Sequence, residues 1–194
     1  MTHLTDRLTQ EPVAPRPEVI SFFEFVKFVT RGLNLPDYIH SNCALWYAPK
    51  QLNDLLEIVA NRCSGKTLFS TLLIPTWELI NNPSLEIGVL SHTYSQALMA
   101  EKSLNDLLIT PAMLSRFPRL TGAKRPWHFP TNGHTLGHRL DYLIIDDAFP
   151  RHEYYYLNSL KRLDSWYRTS VLTRLTEDCR ILYIASDPCP IDLR

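Results

Sequence analysis

From Leu55 onward, short apolar runs alternate with stretches of helical period. The runs are "LLEIVA", "LEIGVLS", "LDYLIIDD" and "RILYIAS". Apolar runs without polar alternation predict strands buried on both faces, as parallel strands covered by helices are. Between the first two runs, "GKTLFSTLLIPTWELINN" predicts a helix. Pro75 should kink or break it, because proline lacks an N–H and its ring clashes with the preceding turn. Between the second and third, "SQALMAEKSLNDLL" puts Ala97, Ala100, Leu104 and Leu108 on one helical face. Strand and helix in alternation predict an α/β fold, a three-layer parallel sheet with right-handed crossovers and helices on both faces.

Upstream, "MTHLTDRLTQEPVAPRPE" is polar and carries Pro12, Pro15 and Pro17, which predicts a flexible arm over 1–17. "VISFFEFVKFVTRG" then spaces Phe22, Phe25, Val26 and Val29 for one face of a helix, with Gly32 as its stop. These aromatics are read as core. The stretch from Pro36 to Pro49 is aromatic and irregular, and no element is assigned to it. No internal repeat is visible. The expected organisation is one domain over 18–194, with a helical N-terminal part at 18–54 and a core at 55–194.

A chain of 194 residues with 45% hydrophobic content suffices for a single domain with a sizeable core. Its 20 basic and 20 acidic residues balance, so any polyanionic partner must be met by a local patch. Cys43, Cys63, Cys179 and Cys189 show no C-x-x-C spacing, and no signal peptide precedes them. A reducing, cytoplasmic setting is expected. No apolar run approaches the ~18 residues of a membrane span, so no membrane partner is expected.

"ANRCSGKT", Ala60 to Thr67, carries the candidate chemistry. A loop between a strand and a helix turns backbone N–H groups toward phosphates, its lysine reaches the β and γ oxygens, and its hydroxyl ligates magnesium. Here "LLEIVA" supplies the strand and "KTLFSTLL" the helix, so Ala60, Asn61, Arg62, Cys63, Ser64, Gly65, Lys66 and Thr67 form a candidate ATP-binding loop. Ala60 stands where the usual pattern has glycine. Arg62 is unusual in such a loop. It reads either as an arginine finger in cis or as a solvent-facing side chain balancing nearby acids. "YLIIDD" ends an apolar run in two carboxylates, which assigns Asp146 to magnesium together with Thr67, and Asp147 to polarising the attacking water.

These residues resemble the N-terminal packaging ATPase of the large terminase subunits of tailed phages. "ANRCSGKT" is similar to that family's A-P-R-G-x-G-K-[ST] loop. "IGVLSHTYSQALMAEKSLNDLL", "GHRLDYLIIDDAF", "DSWYRTSVLTRL" and "RILYIASD" are similar to four further blocks in the same order over Leu55 to Asp187. The resemblance implies an ASCE-type, RecA-like P-loop ATPase that drives double-stranded DNA into a procapsid. Lys66, Arg62 and Asp147 would be catalytic, ATP and Mg2+ bound, and Ser186 would couple hydrolysis to movement. A portal protein, a small terminase subunit and further copies in a homo-oligomeric ring are the implied partners, inside an infected or lysogenic bacterial cell. Trp166 and Arg174 become family positions, and Gln51 a candidate adenine contact.

Three departures are plain. The loop has Ala60-Asn61 where the family has alanine-proline, and Ser186-Asp187-Pro188 replaces a threonine-arginine-tryptophan turn. The chain stops at Arg194, before the family's nuclease segment, so no nuclease is expected within it. A truncated, non-motor nucleotide-binding form, such as a prophage remnant, is therefore the alternative reading.

"AKRPWHFPTNGHTLGHR" gathers Lys124, Arg125, His128, His134, His138 and Arg139 around Trp127. It reads as a loop for a DNA backbone or as an ordinary solvated loop. His134 and His138 lack the partners a zinc site needs. The tyrosines of "HEYYYLNSLKRLDSWYRT" read as packing or as a face between subunits.

Overall fold

The computed structural model describes residues 20–31, 55–133, 137–149 and 156–193. The expected arm at 1–17, the stop at Gly32, the irregular stretch 36–49, Cys43, Gln51, His134 and the tyrosines at 154 and 155 lie outside the described residues.

Among the described residues, five strands form one sheet: β1 Leu55–Val59, β2 Ile87–Ser91, β3 Trp127–Pro130, β4 Leu140–Asp146 and β5 Leu175–Ala185. Their order is β1-β5-β4-β2-β3, and every pairing is parallel. Val59 stands opposite Ala185, and Asp146 stands opposite both Ile184 and Ser91. The C-terminal ends of four strands are therefore level along one edge.

Side chains alternate across a pleated sheet, so each central strand feeds two cores. Ile87, Val89, Tyr142, Ile144, Leu182 and Ile184 enter one, while Leu90, Leu143, Ile145, Ile181 and Tyr183 enter the other. Helices cover both, which gives the three layers. On the first face lie α1 (Phe22–Val29), α2, α3 (Tyr94–Leu108) and α4 (Pro111–Arg116). Helix α2 starts at Lys66–Leu68, widens into a π-helical turn at Phe69–Leu73 and continues as Ile74–Asn81. On the second face lies α5 (Leu157–Trp166), which runs on through a π-helical turn at Tyr167–Val171 and packs Leu163, Tyr167 and Val171 inward.

The helical periods hold where they were legible. Ala97, Ala100, Leu104 and Leu108 are the buried residues of α3. Phe22, Phe25 and Val26 are buried on α1, whose start is closed by Ser21 and Glu24 in a reciprocal capping box. Trp77 of α2 holds this helix in place, with ring centroids 5.8 Å from Phe22 and 5.5 Å from Phe25. Each such aromatic pair contributes about 0.5–1.5 kcal/mol beyond its buried area.

Four expectations are corrected. Strand β1 is not buried on both faces: among the described residues it is an edge strand, and Val59 is 50% exposed. Pro75 does not break α2. The π turn moves the Ile74 N–H onto the Phe69 carbonyl, five residues back, and Pro75 falls in the first turn of the continuing helix, where a missing N–H is tolerated. Strand β5 starts at Leu175, five residues before the apolar run "RILYIAS". Finally, part of the basic segment is not loop, since Trp127–Pro130 forms β3 beside β2.

That strand changes what the segment can offer. His128 turns both ring nitrogens into protein, away from solvent, and burial pushes its pKa down to about 4. Lys124 is paired with Glu86, and Trp127 stacks on His138 at 3.7 Å. Trp166 donates its indole N–H to the Gly133 carbonyl at 3.0 Å and so ties the β3–β4 connection to α5. Among the described residues, no helix is long and apolar enough to cross a membrane.

Candidate functional site

The loop between β1 and α2 lies at the C-terminal edge of the sheet. Ala60 still belongs to the ladder: its N–H donates to the Ala185 carbonyl at 2.9 Å, and its side chain packs on the first core. Left-handed backbone occurs in this loop at Cys63 (φ 62°) and Gly65 (φ 87°), not at Ala60. An alanine is thus sterically acceptable at the first position, since the conformation that favours glycine is adopted further on. Gly65 is the N-cap of α2 and needs its glycine.

Lys66 follows directly, and its side chain is only 6% exposed. Its ammonium donates to the Asn61 carbonyl at 3.1 Å and lies 3.8 Å from Asp147 Oδ2. Ser64 carries a buried hydroxyl with no hydrogen-bond partner among the described residues, an orphan polar atom at the mouth of the loop. Asn61, Arg62 and Cys63 are exposed at its tip, and so is Thr67.

Asp146 ends β4 and is buried. Burial pushes its pKa up to about 6, and neighbouring Asp147 adds to that rise. Hydrogen bonds from Ser70 and Thr67 and the charge of Lys66 oppose it. Ser70 Oγ donates to Asp146 Oδ1 at 2.6 Å, and also to the Lys66 carbonyl at 2.9 Å. Ser70 lies in the π turn of α2. Asp147 adopts φ 44°, a left-handed conformation that aspartate tolerates better than most residues. Its N–H donates to the Ile184 carbonyl at 2.9 Å. Its carboxylate accepts the Ser186 N–H at 2.8 Å and the Ser186 hydroxyl at 3.2 Å.

The structure therefore brings Lys66, Thr67, Asp146, Asp147 and Ser186 to one place. Lys66 and Asp146 do not come from adjacent strand ends, however, because β5 lies between β1 and β4 and delivers Ser186 there. Beside the acids opens a cavity of about 360 Å³ between α2 and α3, whose lining includes Thr67, Thr71, Ser91, Gln96, Asp146 and Asp147. Ser70 and Gln96 were not anticipated from the sequence. Their signals were present: Ser70 follows Lys66 by one helical turn, and Thr93-x-x-Gln96 has the spacing of a capping box.

Among the described residues, no group of three or more His, Cys, Asp or Glu side chains could hold a metal by itself. A divalent ion here would rely on one carboxylate, one hydroxyl, water and a bound ligand. No protein-family model matches the chain, and no curated protein matches it significantly.

Proposed function

We propose that this chain is a magnesium-dependent P-loop ATPase of the ASCE, RecA-like type, acting as the motor domain of a DNA-packaging terminase. The observation that carries the reading is the convergence of the Gly65-Lys66-Thr67 turn with Asp146 and Asp147 at one sheet edge. The insertion of β5 between the loop strand and the acid strand supports it as well. So does the orphan Ser64 hydroxyl, which an anionic ligand would satisfy.

The residues fit magnesium. Thr67 and Asp146 offer hard oxygen donors, and a buried carboxylate whose pKa is raised gains from a cation beside it. Magnesium commonly uses one or two carboxylates and fills its remaining positions with water and substrate phosphates. When bound, it would neutralise charge on the β and γ oxygens.

The chain's own groups do the rest. Loop amides and Lys66 bind the triphosphate, and Arg62, exposed at the loop tip, can fold over the γ-phosphoryl group. The Asp147 carboxylate orients a water in line. The water oxygen bonds to the γ-phosphorus as the bond to the β–γ bridging oxygen breaks, ADP leaves with that electron pair, and the water's proton passes to Asp147. Ser186, bonded to Asp147 through both N–H and hydroxyl, is placed to feel that change and relay it along β5. In this reading duplex DNA is the moved substrate. A portal, a small terminase subunit and further copies of the chain in a ring are the partners.

The test is ATP turnover with and without duplex DNA, in parent and Lys66→Ala. Turnover that requires Lys66 and rises with DNA supports the motor. Nucleotide binding without turnover would favour the truncated, non-motor form, and turnover indifferent to Lys66 would reject the site.

A further inference from the structure

We infer that Gln96 is a further catalytic residue, whose side-chain amide donates a hydrogen bond to an oxygen of the terminal phosphoryl group from the α3 side of the cavity. This rests on the ATPase reading above and adds a group that neither the loop nor the acid pair supplies.

A reciprocal capping box opens α3. Thr93 Oγ1 accepts the Gln96 N–H at 3.3 Å, and Gln96 Oε1 accepts both the Thr93 N–H and the Thr93 hydroxyl at 3.1 Å. A backbone N–H can only donate, so the amide oxygen must face Thr93, and the orientation of the amide follows from chemistry. Its two N–H donors are then directed away from Thr93. Gln96 lines the same cavity as Thr67, Asp146 and Asp147.

Of the hydroxyls in that lining, Thr71 already donates to the Thr67 carbonyl at 2.6 Å and Thr67 bonds to Asp146. Asp146 and Asp147 are acceptors, and Asp147 is 3.8 Å from Lys66. In the ATPase reading Lys66, the loop amides and Arg62 donate from the loop side, and the α3 side of the cavity is where a further donor would add to them. An amide N–H provides one without adding charge. Holding the attacking water is the weaker alternative, because a donor pointed at its lone pair would lower its nucleophilicity, whereas charge building on phosphoryl oxygens is stabilised by the same donor.

Two variants separate this role from a structural one. Gln96→Glu keeps a capping-box acceptor at the third helical position, and glutamate is a favoured residue there, but it removes the N–H donors. Gln96→Met removes donor and cap without adding charge. ATP turnover, ADP affinity and thermal midpoint are measured for both, alongside parent and Lys66→Met. The expected result is a kcat reduced on the order of 100-fold in both Gln96 variants, with ADP affinity within about twofold of parent, since ADP lacks the terminal phosphoryl group. Gln96→Glu should also keep the parent's thermal midpoint. Parent-like kcat in both variants overturns the inference, and so does an equal loss of ADP affinity and turnover. If the parent shows no turnover that depends on Lys66, the ATPase reading itself fails and this inference falls with it.

Discussion

Ser70 and Asp146, 76 residues apart in the chain, are joined by a 2.6 Å hydrogen bond in which the serine hydroxyl donates to a buried carboxylate. The bond couples the helix after the loop to the end of β4.

Removing that hydroxyl leaves Asp146 buried with one donor fewer. Ser70→Ala should lower unfolding free energy by about 1–3 kcal/mol, read from urea denaturation at pH 7.5. An unchanged midpoint would show that the contact contributes nothing to stability.

Two buried groups give opposite dependences on pH. The folded-state pKa of His128 is depressed from 6.5 to about 4. Its stabilising contribution is full above 6.5 and is lost as pH falls toward 4, because only the unfolded chain takes up the proton. Asp146 is raised from 3.8 to about 6, so below 6 the folded state takes up a proton that the unfolded chain does not, and stability rises on acidification. Each amounts to about 3 kcal/mol across its window. Asp146→Asn should therefore lose more stability than parent between pH 7 and 4.5, and His128→Leu less, when unfolding is followed in urea at both values. Parallel curves for parent and either variant would contradict the burial argument.

Lys66 is a nearly sealed cation with one carbonyl partner and one carboxylate at 3.8 Å. Such a charge costs desolvation that its contacts only partly offset. Lys66→Met should thus leave the thermal midpoint unchanged or raise it by a few degrees, while removing nucleotide binding. A midpoint several degrees lower would mean that the lysine supports the fold rather than awaiting a ligand.

Gly65 holds φ 87° at the start of α2. Gly65→Ala forces a side chain into a left-handed conformation, at about 1–2 kcal/mol, and should lower the urea midpoint accordingly. Ala60→Gly, at a position with ordinary φ, should change little beyond added freedom in the unfolded chain.

Much of the fold was legible because it is local. The four apolar runs each fall on a strand, and the buried face of α3 is the one its 3.6-residue period marked out. The strand missed was β3, a four-residue edge strand inside a run of basic residues, histidines and prolines, with no apolar alternation to announce it. Pro75 misled for a similar reason: its effect depends on the hydrogen-bond register of the turn before it. The hydroxyls of Ser70 and Thr71 donate back to the carbonyls of Lys66 and Thr67, a form of bonding that often bends helices.

The sequence alone determined four of the five described strands, which residues line the loop and which two acids end an apolar run, since each depends on neighbours within a few positions. Tertiary structure decided that β5 lies between β1 and β4, that Ser186 rests on Asp147 while Ser70 reaches Asp146, and that Gln96 lines a cavity with the two acids. The physical reason is that strand order and the meeting of strand ends arise from non-local pairing and from packing on two cores. No short stretch of chain contains either.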